Sequence, residues 1–465
     1  MLRLMRGRSL TAAVVVLLGT GVAAQDSAIT LHQAIAQALA RYPGVAAAAA
    51  EREAVTATID LARQAYRPRI DGLLQLNRAT HSNVAGLLLP QGVISPISGP
   101  VATDNSDGSV WGTAVGALVV WKPFDFGARH AGVLSAEKGE EVARWSLERV
   151  RLETAAATAD AFLTVLASEA TVRAAQAAVD RADVLLRSVQ ALVDAGLRPG
   201  VDAASAKAEQ AAAVMQRIQA IRSADTARAL LAHYVGGPAR AAALPSPSHS
   251  ERPVESPAGA GPPDEVNPVI REQQAAIDEA ATRFEVARRS ADPDVALQGT
   301  VYGRGTGVLA DNSSGTGADG LGIDAGNWAV GVTVTVPMME WANKHSREAV
   351  ETARIKAATA RRELAASDLA RRRSTAMQER QAAWDLMGQA PLVVSAARDA
   401  HAQATARYQS GLSSITDVAD AQRRLAQAEI DAALVELAMW RAQLDWNAIV
   451  SGSAEAFLAL VGVQP

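Results

Sequence analysis

The chain has 465 residues, no cysteine and a formal net charge of −4 at pH 7. The lack of cysteine excludes disulfides and thiolate metal sites, and the acidic balance argues against a general nucleic-acid-binding protein. A chain of this length without disulfides must be held together by packing or by assembly with other chains.

Residues 1–24 have the pattern of a secretory signal peptide. Three arginines precede a short apolar run at 10–18, and small residues at 22–24 suit cleavage before Gln25. We therefore expect an exported chain, and loss of the three arginines gives a mature net charge of −4 − 3 = −7. Beyond residue 24 no apolar run reaches the roughly 20 residues of a membrane-spanning helix, so any membrane crossing must use strands.

The first half of a predicted duplication covers residues 25–237. Helical periodicity comes first, and a strand pair follows at about 69–122, where apolar residues recur at every second position. Trp111 and Trp121 share a face of the second strand and are about 33 Å apart along it. At a tilt of about 40° this distance matches the apolar band of an outer-membrane barrel, so we expect both tryptophans at its rims.

A long helical hairpin at about 128–235 completes the first repeat. Its first helix is too long for a globular core, and the chain turns at Gly196 and Leu197 before the second helix returns. Residues 238–264 are rich in Pro, Ser, Ala and Gly, and we interpret them as the linker between the repeats.

The second repeat, at 265–452, has the same order of elements. Its strand pair lies at about 294–336, and Trp328 opens the most regular alternation of the chain. We expect Trp328 to be a third rim aromatic. The fold class predicted from both repeats is mixed but mainly α. The tail at 453–465 has no predicted structure.

The second hairpin, at about 342–450, turns at Gly411 and Leu412, 215 positions after the turn of the first. Two carboxylates, Asp417 and Asp420, follow this turn and share one face of the returning helix. One interpretation is ordinary acidic charge at a helix N-terminus, where it is favourable. A functional role is the alternative, and the spacing alone leaves both open.

Four strands of about ten residues cannot close a membrane barrel, because the smallest closed form needs about eight. Lipid does not tolerate open sheet edges, so the membrane interpretation requires an oligomer. The four long helices leave the same end of the strands. An oligomer would therefore continue a strand barrel into a helical tube.

The sequence resembles the TolC-like outer-membrane efflux proteins. Four motifs carry the resemblance: ITLHQAIAQALARYP at 29–43, P-F-D-x-G at 123–127, PMMEWANK at 337–344 and RYQSGLSSITDVADAQ at 407–422. The resemblance implies a homotrimer with a twelve-stranded barrel in the outer membrane and a long α-helical duct in the periplasm. It also implies a periplasmic adaptor and an inner-membrane pump as partners, with no enzymatic activity and no cofactor.

The resemblance also implies roles for residues near the two turns. Asp417 and Asp420 match the pair that narrows the periplasmic entrance, so three copies would form a ring of six carboxylates that could bind cations. Tyr408 and Asp202 match a hydrogen-bonded pair that holds this entrance shut. The sequence departs from the family at Ser413, where some members have an arginine that joins this lock, and at 199–200.

Three other functions are compatible with parts of the sequence. A duct dedicated to heavy metals or another substrate would have the same architecture. A secreted structural coiled coil would explain the helices but not the alternating strands. A periplasmic enzyme is disfavoured because no nucleophile, base and orienting group can be assembled, and the glycines at 303–307 are not followed by the helix of a nucleotide site.

Overall fold

A computed structural model describes residues 28–80, 109–242, 264–311 and 313–462. The predicted signal peptide, most of the loop between the first two strands and most of the predicted linker lie outside these residues. Within them the chain is mainly helical, with four long strands, so the predicted fold class is confirmed.

Eight α-helices and six strands occur in the described residues. The helices are α1 Leu31–Arg41, α2 Pro43–Gln64, α3 Ala128–Asp194, α4 Gly200–Val235, α5 Pro268–Arg289, α6 Met338–Gln409, α7 Ile415–Ser451 and α8 Ala454–Gly462. The strands are β1 Ala28–Ile29, β2 Arg69–Thr80, β3 Ser109–Phe124, β4 Arg240–Ala241, β5 Asp294–Thr306 and β6 Ala325–Thr335. A short 3₁₀ turn covers Asp264–Val266.

The four long strands form one antiparallel sheet in the order β2-β3-β5-β6. Its register places Val119 opposite both Ile70 and Gly299, and Gly299 opposite Val330. One face of the sheet therefore gathers the apolar side chains of all four strands. These side chains are exposed: Ile70, Leu74, Leu76, Val115, Val119, Trp121, Leu297, Val301, Trp328, Val330, Val332 and Val334.

The opposite face of the sheet carries mostly small and polar residues. Among them are Gly116, Gln298, Thr300, Ala329 and Thr333, which alternate with the apolar positions along their strands. A sheet with one apolar exposed face and one polar face is suited to separate lipid from water. At Gly116 the polar face is tightly packed, because a Cβ there would lie 2.4 Å from the Tyr302 Cβ atom.

Each strand of the sheet adjoins one helix. Helices α2 and α5 run into β2 and β5, while α3 and α6 leave β3 and β6. Near the sheet, α3 packs against α2 and α5, and α5 packs against α6, so the helices keep the order of the strands. Farther away the order is α4-α3-α7-α6.

Ion pairs and hydrogen bonds connect neighbouring helices. Arg149 joins α3 to α5 through Glu272 at 2.6 Å, and Arg181 joins α3 to α7 through Glu429 at 2.9 Å. The buried Gln422 side chain donates to the Ala178 carbonyl across the same α3–α7 contact at 3.2 Å. These contacts fix the long helices in register along their length.

The main apolar core lies around the middle of the long helices. Phe162 of α3, Leu231 of α4 and Phe457 of α8 are fully buried there, beside Ile35 of α1. A short parallel pairing of β1 with β4 borders this region. Helix α1 begins with a capping box, since Thr30 accepts from the Gln33 amide and the Gln33 side chain accepts from the Thr30 amide.

Helix α8 was missed by the sequence prediction, which gave the tail no structure. It begins after Gly452, whose φ of 68° ends α7 in the left-handed conformation. Its residues are apolar on nearly every side, so there is no amphipathic period to detect. The burial of Ala454 and Phe457 in the core stabilises it.

The P-F-D-x-G motif forms the junction between β3 and α3. Phe126 and Gly127 have φ values of 50° and 93°, which turn the chain sharply out of the strand. The Asp125 carboxylate accepts hydrogen bonds from the Gly127 amide and from the amide and side chain of Arg129. Burial opposes ionisation of Asp125, but these bonds prevail and hold the pKa of its carboxyl below the ordinary value.

Candidate functional site at the helical tips

The two hairpin turns have the same backbone geometry. Gly196 and Gly411 adopt φ values of 70° and 77°, which glycine accepts without steric cost. In the first turn the Leu197 amide donates to the Leu192 carbonyl at 2.9 Å, and in the second the Leu412 amide donates to the Arg407 carbonyl at 2.8 Å. Both turns are Schellman motifs, so the duplicated sequence produces a duplicated structure.

The side chains of Leu197 and Leu412 lie at the ends of the turns and are 70% and 71% exposed. Immediately behind them an apolar cluster joins the four long helices. It contains the buried residues Val189, Ala206, Tyr408, Ile415 and Val418. The turns are thus rigidly supported while their outermost apolar side chains stay available for contact with another molecule.

The structure brings together Tyr408 and Asp202, the two residues named from the family resemblance. The Tyr408 hydroxyl donates to the Asp202 Oδ2 atom at 3.0 Å, and Tyr408 is only 2% exposed. Burial, followed by the bond to the Asp202 carboxylate, raises the pKa of Tyr408 to about 12. The phenol is therefore neutral at physiological pH and connects α6 to α4. We call this hydrogen bond the lock.

Arg198 also contacts Tyr408, and the sequence prediction did not include it. Its Nη2 atom donates to the Tyr408 backbone carbonyl at 2.5 Å, and its guanidinium carbon lies 4.4 Å from the centre of the Tyr408 ring. The family resemblance places an arginine of some members at the position of Ser413, where this chain has serine. The arginine of this chain reaches the lock from the other turn.

Asp417 contributes to a capping box at the start of α7. The Ser414 hydroxyl accepts from the Asp417 amide at 3.3 Å, and the Asp417 carboxylate accepts from the Ser414 amide at 3.0 Å. Asp420 pairs with Arg423, which also approaches Glu209 of α4 at 3.6 Å. Both carboxylates keep access to solvent. The helix-start role of Asp417 is thus present, and it leaves the carboxylate exposed for a second role.

The three predicted rim tryptophans lie on the apolar face of the sheet. The Trp121 Nε1 atom donates to the Tyr66 carbonyl at 3.1 Å, at the end of β3 next to the helices. Trp111 lies near the other end, where the Arg78 guanidinium is 5.4 Å from its ring centre. Trp328 is 76% exposed and lies opposite Val301, which in turn lies opposite Ala117. Trp328 is therefore level with a position of β3 that is between Trp111 and Trp121. The structure does not place it in register with either.

Known proteins share the sequence pattern and the fold of this chain. The model of the outer membrane efflux protein family matches residues 34–237 and 265–449, which is well over half of the chain. The chain belongs to the outer membrane efflux protein family. This confirms the resemblance expected from the four motifs and places the protein in the outer membrane, extending into the periplasm.

Solved structures of outer-membrane channels share the fold at low sequence identity. The CmeC outer membrane channel of Campylobacter jejuni has a TM-score of 0.74 at 14% identity, with 91% of this chain and 85% of that chain covered. VceC of Vibrio cholerae has 0.70 at 17% identity, with 91% and 96% covered. The open state of the MtrE outer membrane channel of Neisseria gonorrhoeae has 0.67 at 19% identity, with 91% and 89% covered.

Among curated proteins, no sequence matches this chain. In the described part of the chain, none of the helices combines the length and apolar character that a membrane span needs. No cluster of three or more metal-ligating side chains occurs among the described residues. Members of the outer membrane efflux protein family are channel proteins.

Proposed function

We propose that this protein is the outer-membrane duct of a tripartite efflux or type I export system. Three copies form a twelve-stranded barrel that continues into a helical tube. The tube carries substrates from an inner-membrane pump and a periplasmic adaptor to the outside of the cell. The duct only conducts: it performs no chemical reaction and holds no cofactor. The observation that supports this most directly is the pair of open edges of the four-stranded sheet.

The sheet ends at β2 on one side and at β6 on the other, and within the described residues neither has an outer partner. An unpaired strand edge in lipid costs several kcal/mol for each backbone group left without a hydrogen bond. Pairing β6 of one copy with β2 of the next removes both edges once the ring closes. Three copies give twelve strands, an even number within the range of closed membrane barrels.

The helical wall has matching edges. Far from the sheet, α4 and α6 are the outer helices, and both carry apolar side chains that are more than half exposed. On α4 these are Val201, Met215 and Ile218, and on α6 they include Leu364, Leu386, Leu392 and Val393. Association of copies would bury these residues, which stabilises the assembly by about 25 cal/mol for each Å² of apolar surface removed from water. The tube and the barrel would therefore close together.

The tips have the properties of a regulated entrance. The lock joins the first hairpin to the second inside each copy, and in a closed ring it holds Asp417 and Asp420 of three copies near one axis. A ring of carboxylates attracts cations and is stabilised when a divalent ion lies between neighbours. The exposed Leu197 and Leu412 supply the surface that contacts the adaptor.

Single cysteines test this topology, because the chain has no cysteine of its own. Leu309 lies in the loop between β5 and β6 and is 50% exposed, so a cysteine there should react with a membrane-impermeant maleimide on intact cells. A cysteine at Leu412 should react only after the outer membrane is permeabilised, and it should crosslink to the adaptor. Reaction of Leu412→Cys on intact cells, with Leu309→Cys protected, would refute the proposed orientation.

A further inference from the structure

Tyr408 is held by two residues of the first hairpin, Arg198 in the turn and Asp202 at the start of α4, and these residues act on different atoms. Asp202 accepts from the phenol hydroxyl at 3.0 Å. Arg198 contacts the aromatic ring at 4.4 Å and donates to the backbone carbonyl at 2.5 Å. The bond of Arg198 does not involve the hydroxyl, so removing the hydroxyl in Tyr408→Phe leaves its acceptor in place.

The position of the Arg198 guanidinium is electrostatically favourable. The Tyr408 carbonyl belongs to the last turn of α6, where the helix dipole has its negative end and a cation is stabilised. The same carbonyl accepts from the Gly411 amide at 3.0 Å, within the Schellman motif of the second turn. Arg198 therefore binds the stop of the second hairpin directly, as well as covering a ring face that attracts cations.

The second turn offers no equivalent contact in return. Ser413, at the position where some family members have an arginine, has a buried Oγ atom without a hydrogen-bond partner in the described residues. Both polar connections at Tyr408 thus involve the first hairpin, through Arg198 of the turn and Asp202 of α4.

We infer that Arg198 is a positioning residue of the periplasmic entrance, which keeps the two tips of each copy together independently of the lock. This inference rests on the proposed function. Arg198 directly follows Leu197, the exposed residue at the end of the first turn. A protein that binds Leu197 can therefore withdraw Arg198 from Tyr408 while both long helices stay folded. The first turn combines a docking surface with a release mechanism.

The test is the open probability of the purified oligomer in a planar bilayer. Arg198→Ala should raise the ratio of open to closed entrances about tenfold or more, as expected for loss of one hydrogen bond to a charged group. Arg198→Gln removes the charge but keeps most of the side chain, and it should have a similar effect. Arg407→Ala is the matched control: Arg407 is the exposed neighbour of Tyr408, and its loss changes the net charge equally. It should leave the ratio unchanged.

Combination with Tyr408→Phe tests independence. The effects of Arg198→Ala and Tyr408→Phe should multiply in the double variant, because the two contacts use different atoms. No further increase over Tyr408→Phe alone would overturn the inference, and so would an Arg198→Ala oligomer that behaves like the native one. If neither the native protein nor Tyr408→Phe conducts at all, the proposed function fails instead. Heat-modifiable migration of each variant verifies that the oligomer is intact.

Discussion

The Tyr408→Phe variant removes the lock and keeps the aromatic ring. Tyr408 is 2% exposed, so in the native protein its hydroxyl has little access to water and its hydrogen-bond partner is the Asp202 carboxylate. A hydrogen bond to a charged group contributes about 1.5–3 kcal/mol. If the lock forms only in the closed entrance, its loss raises the ratio of open to closed states about 10- to 150-fold.

Single-channel recording in a planar bilayer measures this ratio. The native oligomer should conduct weakly, and Tyr408→Phe should be open far more often at the same applied voltage. Tyr234→Phe removes a hydroxyl near the middle of the helices, far from the tips in sequence, and should match the native protein. If Tyr408→Phe is open no more often than Tyr234→Phe, the lock does not control the entrance.

The pH dependence of the open probability tests the same hydrogen bond between Tyr408 and Asp202. The pKa of Tyr408 is raised from 10.0 to about 12, so the folded protein favours the neutral phenol. The stabilisation is complete below pH 10.0 and is lost as the pH rises toward about 12. The native open probability should show no change from this group at neutral pH and should rise only above pH 10.0. The Tyr408→Phe variant should lack this rise.

Three further predictions follow from the sheet, the entrance and the junction. Val330→Arg puts a charge on the exposed apolar face in the middle of β6, at a cost of about 2–4 kcal/mol at the bilayer midplane, and should reduce assembled protein in membrane fractions. Ala329→Arg, on the opposite face at nearly the same depth, should assemble normally. Equal assembly of the two variants would refute the register. Joint replacement of Asp417 and Asp420 by alanine should abolish block by divalent cations added on the periplasmic side and destabilise the α7 start by about 1 kcal/mol; an unchanged block would show that they do not line the entrance. Gly127→Ala forces alanine to a φ of 93° and should destabilise the β3–α3 junction by about 1–2 kcal/mol, seen as a lower dissociation temperature of the oligomer; an unchanged temperature would mean that the junction relaxes without cost.

Local patterns in the sequence were enough to predict the long strands and the two helical hairpins. The alternation from Trp328 to Val334 identifies a strand because side chains on successive residues face opposite sides of a sheet. Gly196 and Gly411 identify the turns because only glycine adopts the left-handed stop without cost. These signals depend on neighbouring residues, so one sequence suffices to read them.

Contacts between distant segments could not be predicted in the same way. Arg198 and Tyr408 are 210 positions apart, and the contact exists only because two turns with equal geometry end side by side. Tyr408 and Asp202 are separated by 206 positions and were assigned from the family resemblance alone. Helix α8 lacked a periodic pattern because some of its exposed positions, such as Leu460, are apolar as well as its buried ones. Each case depends on tertiary packing that no local signal encodes.

The central claim is that three copies close one barrel through their open edges. Light scattering on the protein extracted from outer membranes into mild detergent measures the mass of the assembly without reference to its activity. The 48.4 kDa chain, less its predicted signal peptide, should be found as a particle of three chains that remains intact on dilution. A stable single chain under the same conditions would contradict the claim, because a four-stranded sheet with two open edges cannot by itself span a membrane.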